Sequence, residues 1–220
     1  MNKSPDYYQN HTENEYEESH GKRLDFLISD LNLNNIQNKK ICDFGCGYGQ
    51  ILNRLIDLNL NNIYYGIDNT DYDFKYKFNF IKHDLALPIN ELESEIDICF
   101  CFEVIEHVGD PYQLLCNIKK VLKINGELYL SIPHINCKHA VIYPSLFYPE
   151  SNFEVFLQQM AFEVIDKRYH DKCFSQNVYK LKNLEWKYSK NFFHYGKTNE
   201  DYYGHDDKRI NLPLIDLINS

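Results

Sequence analysis

Ile41 to Gln50 reads Ile-Cys-Asp-Phe-Gly-Cys-Gly-Tyr-Gly-Gln, and its acid and glycines are the residue types that do chemistry together. Ile41, Cys42 and Phe44 form a short apolar run, the pattern of a buried parallel strand. After the glycines, Ile51, Leu52, Leu55 and Ile56 recur at helical spacing. Gly45, Gly47 and Gly49 therefore fall in a strand-to-helix turn, where a missing Cβ permits a sharp bend and close approach of a ligand. Asp43 puts a carboxylate at the mouth of that turn. The spacing is not G-x-G-x-x-G, because the third glycine comes one residue early, and no Gly-Lys-Ser/Thr follows. A cationic ligand without phosphates suits the acid; the triplet alone also suits a plain structural turn.

Three further acids end apolar runs downstream. Asp68 closes the run 63–67, roughly 20 residues after the turn, where a ribose-binding acid is expected. An ionised carboxylate only accepts hydrogen bonds, so it can take both ribose hydroxyls. Asp84 follows the short run 78–81, and Glu103 follows 96–102. One loop acid is ordinary; four at successive strand ends, with a glycine turn among them, mark a binding edge. His107 and His134 come after strands at the same edge, and histidine is the usual base near neutral pH. A histidine bonded to its own loop is the alternative for each.

The elements that position these residues follow from periodicity. Leu24, Leu27, Ile28 and Leu31 mark an amphipathic helix on the domain edge. Asp110-Pro111 starts a second helix with Leu114, Leu115, Ile118, Val121 and Leu122 as its buried face, ended by Asn125-Gly126. Strand 128–132 follows, then a long aromatic connection over 134–150 with Tyr143, Phe147 and Tyr148 as a candidate lid. Ser151 caps a last helix, and 162–168 and 178–181 form a final strand pair. The expectation is an α/β, Rossmann-like seven-stranded mostly parallel sheet with helices on both faces and an antiparallel final strand. Residues 1–38 are read as an N-terminal helical extension, 39–182 as the binding domain, and 183–220 as a tail without an assigned element.

The chain has 220 residues, 44% of them apolar and 15% aromatic, enough for one domain with a substantial core. Its formal charge of −9 is read against non-specific nucleic-acid binding and against anionic membranes. No apolar run reaches the roughly 20 residues of a membrane span, and the first residues are too polar for a signal peptide. Seven cysteines without a C-x-x-C pair suggest buried thiols, no metal site and a reducing cytoplasm.

The motifs then match a family in order. Residues 41–49, 63–68, 83–88, 96–108 and 123–133 resemble those of class I S-adenosylmethionine (SAM) dependent methyltransferases. Phe102-Glu103-Val104-Ile105-Glu106-His107-Val108 and Leu122-Lys123-Ile124-Asn125-Gly126-Glu127-Leu128 are most similar to ubiquinone-biosynthesis-type O-methyltransferases and bacterial surface-sugar relatives, with Asn125 replacing a usual glycine. The resemblance implies SAM as cofactor and S-adenosylhomocysteine (SAH) as product. It places Asp43, Gly45, Cys46 and Gly47 at the methionine moiety, Asp68 at the ribose, Asp84 and the Leu85 N–H at the adenine, and Phe102 and Glu103 near the sulfonium. Tyr16 and Arg23 become candidates for the methionine carboxylate. His107, then His134, are the candidate bases for a hydroxyl acceptor on a small molecule, with a sugar or sugar-derived metabolite as first guess. An N-methyl or carboxyl methyltransferase, and a catalytically silent SAM-binding subunit, remain alternatives. Charge and the missing Asn/Asp-Pro-Pro-Tyr/Phe motif are read as no nucleic acid and no membrane; a homodimer is compatible.

Overall fold

The computed structural model describes residues 13–135, 141–170 and 176–185, without the side chains of 13–20. Tyr7, Tyr8, the side chain of Tyr16 and the stretch from 186 onward lie outside the described residues.

Seven strands form one sheet: Lys40–Phe44 (β1), Ile63–Asp68 (β2), Asn79–Lys82 (β3), Ile96–Cys101 (β4), Leu122–Pro133 (β5), Phe162–His170 (β6) and Gln176–Asn183 (β7). Their order is β3-β2-β1-β4-β5-β7-β6. The first five strands pair in parallel, and β7 runs antiparallel to both β5 and β6. β1 pairs with β2 on one side and β4 on the other, so successive crossovers leave it in opposite directions. That reversal opens a crevice beyond the C-terminal strand ends, the place where such sheets bind ligands.

Five helices cover the two faces: Glu13–Asp30 (α1), Gln50–Asp57 (α2), Pro111–Val121 (α3), Pro144–Phe147 (α4) and Glu150–Gln159 (α5). On one face Leu24, Leu27 and Ile28 of α1 and Ile51, Leu52 and Leu55 of α2 pack on Ile41, Ile98, Phe100 and Tyr129. On the other, Leu114, Ile118 and Val121 of α3 and Phe153, Phe156 and Leu157 of α5 pack on Phe44, Cys99, Leu128 and Leu130. Because both faces are covered, β4 is apolar almost throughout, and its Ile96, Ile98, Cys99, Phe100 and Cys101 are buried.

The structure departs from the periodicity reading in four places. Helix α3 stops at Val121, and β5 begins at once at Leu122. Leu122 pairs with Ile96 and Glu127 with Ile98, so the Lys123–Gly126 segment protrudes from within the strand. Asn125 there takes a left-handed φ of 66°, which asparagine tolerates better than most residues. The last helix starts at Glu150 after Pro149, so Ser151 lies inside it rather than capping it. Residues 71–77, which the sequence reads as a polar or weakly helical connection, hold no helix; the rings of Tyr48, Tyr72, Phe74 and Phe78 contact one another in turn there, the last two pairs edge-on. Finally, Phe147 is fully buried, 5.1 Å from Phe153. It is core, not lid.

Candidate active site

The glycine turn is held by the end of β2. Gly45 and Cys46 donate their N–H groups to Ile67 O at 2.8 and 3.1 Å, and Gly49 N–H donates to Cys46 O at 2.8 Å. Gly45 has φ +73°, and a Cβ there would sit 2.4 Å from a Val104 methyl carbon. Gly47 has φ +51°, but a Cβ would meet nothing within 4 Å. One glycine is required by packing, the other by conformation alone, and the space above it is open.

Two carboxylates face this turn. Asp68 Oδ2 accepts the Gly47 N–H at 2.9 Å, and Oδ1 accepts the Thr70 N–H at 3.1 Å. Burial pushes its carboxyl above the usual range, while these backbone donors pull it down. Asp43 is buried at the end of β1, and burial, then the Asp68 charge, push its carboxyl well above the usual range. An ionised Asp68 that hinders ionisation of Asp43 beside an open turn makes a site suited to a cation. The positive charge of a SAM molecule relieves that repulsion, so the residues present fit the cofactor. Cys46 is buried under the same turn, its thiol also pushed up by burial.

A second group lies across the crevice, where β4 ends. Glu103 is in the left-handed region at φ 57°, a strained setting for a residue with a side chain. Ser131 holds it there: the Glu103 N–H donates to Ser131 Oγ at 2.8 Å, and the Ser131 hydroxyl donates back to Glu103 Oε1 at 3.0 Å. Arg23 of α1, only 7% exposed, brings Nη1 to 3.5 Å from Glu103 Oε2. Phe102 stacks on Phe100 at 5.7 Å beneath this group. Ser131 was not singled out by sequence; its signal is a hydroxyl inside the otherwise apolar run Leu128–Ile132.

The other named residues are dispersed. Asp84 is exposed and Leu85 buried in a turn after β3, where Asp84 Oδ1 accepts the Ala86 N–H at 2.9 Å. His107 sits in a 3-10 turn, Ile105–His107, with Nε2 3.9 Å from Glu106 Oε1. Glu106 is fully buried; burial, then the Glu103 charge, push its carboxyl well up, towards the neutral form. His134 follows the end of β5. Its Nε2 lies 3.6 Å from Glu150 Oε1 and its ring 4.8 Å from that of Tyr169 on β6. The structure thus joins Arg23 to Glu103 and sets the Asp68 charge against Asp43, while the two histidines face different acids, Glu106 and Glu150. The 134–150 connection braces the His107 turn: Ile142 N–H donates to Glu106 O at 3.0 Å and the Tyr143 hydroxyl to Gly109 O at 2.6 Å. No helix among the described residues is long and apolar enough to cross a membrane.

Comparison with known proteins fits this geometry. Residues 42–130 match the family described as Methyltransferase domain. A tRNA U34 carboxymethyltransferase of Campylobacter curvus is 31% identical over 113 residues, 47% of this chain and 38% of that protein. A ubiquinone biosynthesis O-methyltransferase of Rickettsia akari is 31% identical over 120 residues, 50% of this chain and 47% of its own length. The chain thus spans less than half the length of these curated relatives. Among solved structures, a SAM-dependent methyltransferase from Aquifex aeolicus superposes with a TM-score of 0.57 at 16% identity, covering 71% of this chain and 88% of that one. The [4+2]-cyclase SpnF superposes at 0.58 and 12% identity, covering 77% of this chain and 82% of that one, so the fold alone does not name a reaction.

These relatives overturn one expectation. The reading of no nucleic acid does not stand, because several curated relatives of this chain are tRNA-modifying enzymes. The physical reason is that a net charge summed over a whole chain governs long-range, non-specific attraction, and says nothing of a local contact. The open turn, the two carboxylates and the matched segment agree: residues 42–130 are similar to a methyltransferase domain, on a fold shared with a SAM-dependent methyltransferase.

Proposed function

We propose that the domain transfers the SAM methyl group to a hydroxyl oxygen of an acceptor bound beyond β4 and β5. The observation that carries the reading is the approach of Asp43 and Asp68 at the open glycine turn. Bound SAM supplies an electrophilic methyl on a sulfonium, so the protein's task is alignment and proton removal. Gly45, Cys46 and Gly47 line the methionine moiety and Asp68 accepts from the ribose hydroxyls. Asp84 and the Leu85 N–H take the adenine edge. Glu103, pinned by Ser131, reaches the ammonium side of the methionine; Arg23, on α1 with Tyr16, stands by its carboxylate. Phe102 closes the floor near the sulfonium.

His107 is the base in this reading. It follows β4 at the crevice, and a hydroxyl needs a proton acceptor because its own pKa lies far above neutral. His134, engaged with Glu150 and Tyr169, is the weaker candidate.

Two acceptor classes have support. A small molecule is the first, favoured by the Rickettsia akari O-methyltransferase relative; a sugar-like one suits the resemblance to surface-sugar methyltransferases. A nucleotide of tRNA is the second, favoured by the carboxymethyltransferase relatives. The test incubates the protein with methyl-tritiated SAM and either deproteinised metabolite extract or total tRNA. Alkali-labile label means a methyl ester and replaces the hydroxyl reading with carboxyl methylation; alkali-stable label identified by mass spectrometry as an O-methyl ether supports transfer to a hydroxyl, and as an N-methyl group overturns it.

A further inference from the structure

Asn117 breaks the apolar stripe of α3. Leu114, Ile118 and Val121 are buried on that face, and Asn117 lies among them at 2% exposure. A buried amide left unmatched destabilises the fold, so its partners are informative. Nδ2 donates to Leu85 O at 3.1 Å and to Leu87 O at 2.7 Å. Oδ1 accepts the Ile89 N–H at 3.0 Å and Gln113 Nε2 at 2.9 Å. Both donors and both lone pairs of the carboxamide are used.

Three of those four bonds go to the backbone of 85–89, the segment that leaves Asp84. That segment has no ladder to shape it, since β3 ends at Lys82 and β4 begins at Ile96. Its own bonds close a tight turn on Asp84: Ala86 N–H to Asp84 Oδ1 at 2.9 Å and Leu87 N–H to Asp84 O at 2.9 Å. His83 Nε2 lies 3.0 Å from Leu87 O, and Lys120 Nζ donates to Ile89 O at 2.7 Å. The turn's position relative to the sheet is therefore set from α3.

We propose that Asn117 is the positioning residue for the cofactor's base: it holds the 84–87 turn so that the Asp84 carboxylate and the Leu85 N–H select a 6-aminopurine. This rests on the reading of Asp84 and Leu85 as the adenine contacts. The chemistry is specific. A carboxylate only accepts and an N–H only donates, so the pair matches an exocyclic amino donor beside a ring acceptor. Hypoxanthine presents the reverse pair and mismatches at both places. The discrimination depends on the spacing of the two protein groups, and Asn117 fixes that spacing by gripping Leu85 and Leu87 at once.

The test measures affinity for SAH and for S-inosylhomocysteine by calorimetry, in the wild type and in Asn117→Asp and Asn117→Ser. Asn117→Asp keeps shape and the acceptor for Ile89 but replaces the donor to Leu85 and Leu87 with an oxygen. The wild type is expected to prefer SAH at least tenfold. In both variants the preference is expected to fall to threefold or less, mostly through weaker SAH, with faster amide hydrogen exchange at Leu87 and Ile89. A merely structural residue would weaken both ligands equally. A discriminating wild type whose folded variants keep the full preference overturns the role of Asn117 alone. If Asn117→Asp does not fold, Asn117→Ser decides on the same ratio. A wild type that binds SAH without preference removes the Asp84–Leu85 reading, and the proposal with it.

Discussion

The two sides of the crevice are built from different materials. On the β1–β2–β3 side, backbone does most of the work: glycine N–H groups, a left-handed turn and strand-end carboxylates within reach of them. On the β4–β5–β7 side, side chains do it: Arg23 on Glu103, Glu103 on Ser131, Tyr143 on Gly109. Backbone solutions leave few sequence options, because φ +73° with Val104 packed above Gly45 admits only glycine. Side-chain solutions have many equivalents. The family match spans both sides as far as residue 130, taking in the turn, β4 and Glu103 but not Ser131, Tyr143 or the final strand pair. The difference teaches that the donor is readable from this chain and the acceptor is not.

The strongest way to break the comparison lies on the acceptor side. His107→Ala is expected to lower kcat by about 10²–10⁴, the usual contribution of a general base, with SAH affinity unchanged. Initial rates of methyl transfer check it. A loss under tenfold would leave the second side with alignment alone and favour an acceptor already deprotonated.

Next in size is Phe147→Ala, expected to destabilise the fold by about 3–5 kcal/mol, because Phe147 is buried against Phe153. Urea unfolding measures it. A higher KM with unchanged stability would restore Phe147 as a lid. Tyr143→Phe removes the bond to Gly109 that braces the His107 turn, and is expected to lower kcat more than it raises KM.

On the cofactor side, Asp68→Ala removes the ribose acceptor and is expected to weaken SAM by about 1.5–3 kcal/mol, the range for charged hydrogen bonds. It also frees the Gly47 N–H, so part of any loss belongs to the turn. Asp68→Asn, which keeps an acceptor for Gly47, separates the two by titration calorimetry.

The smallest expected effect is a pH slope. The Asp43 carboxyl is raised in the folded state by burial and by Asp68, so the folded protein holds a proton that the unfolded chain has released. Its contribution to stability is complete below the unfolded value and is lost as pH rises through the raised value, at ~1.4 kcal/mol for each pH unit between the two. Ligand-free wild type should therefore lose stability across that window relative to Asp43→Asn, measured by urea unfolding over a pH series. Cationic SAM should reverse part of the loss. An identical slope in the variant would remove Asp43 from the account.

How much was legible depends on which physics set each element. The sheet and the glycine turn follow from apolar runs and punctuation, since a strand buried on both faces has one composition; the strand order is set by the crossovers, which no run records. The end of α3 was not legible, because Asn125-Gly126 signals a helix stop as well as a protrusion inside a strand. The fate of 134–150 was hidden because aromatic residues read alike in a lid and in a core; only packing distinguishes Phe147 from Tyr143. Glu103 was found, but its clamp by Ser131 and Arg23 was not, because those residues meet through topology. Asn117 was hidden inside an apolar stripe whose polar member looks like noise until its four partners are seen.

The central claim is that Asp43, Asp68 and the glycine turn bind SAM. Titration calorimetry of the purified wild-type chain with SAM and SAH tests it most directly. Saturable one-site binding of both ligands, weakened together by Asp68→Ala, is the predicted result. No heat and no thermal stabilisation with either ligand at millimolar concentration would contradict it.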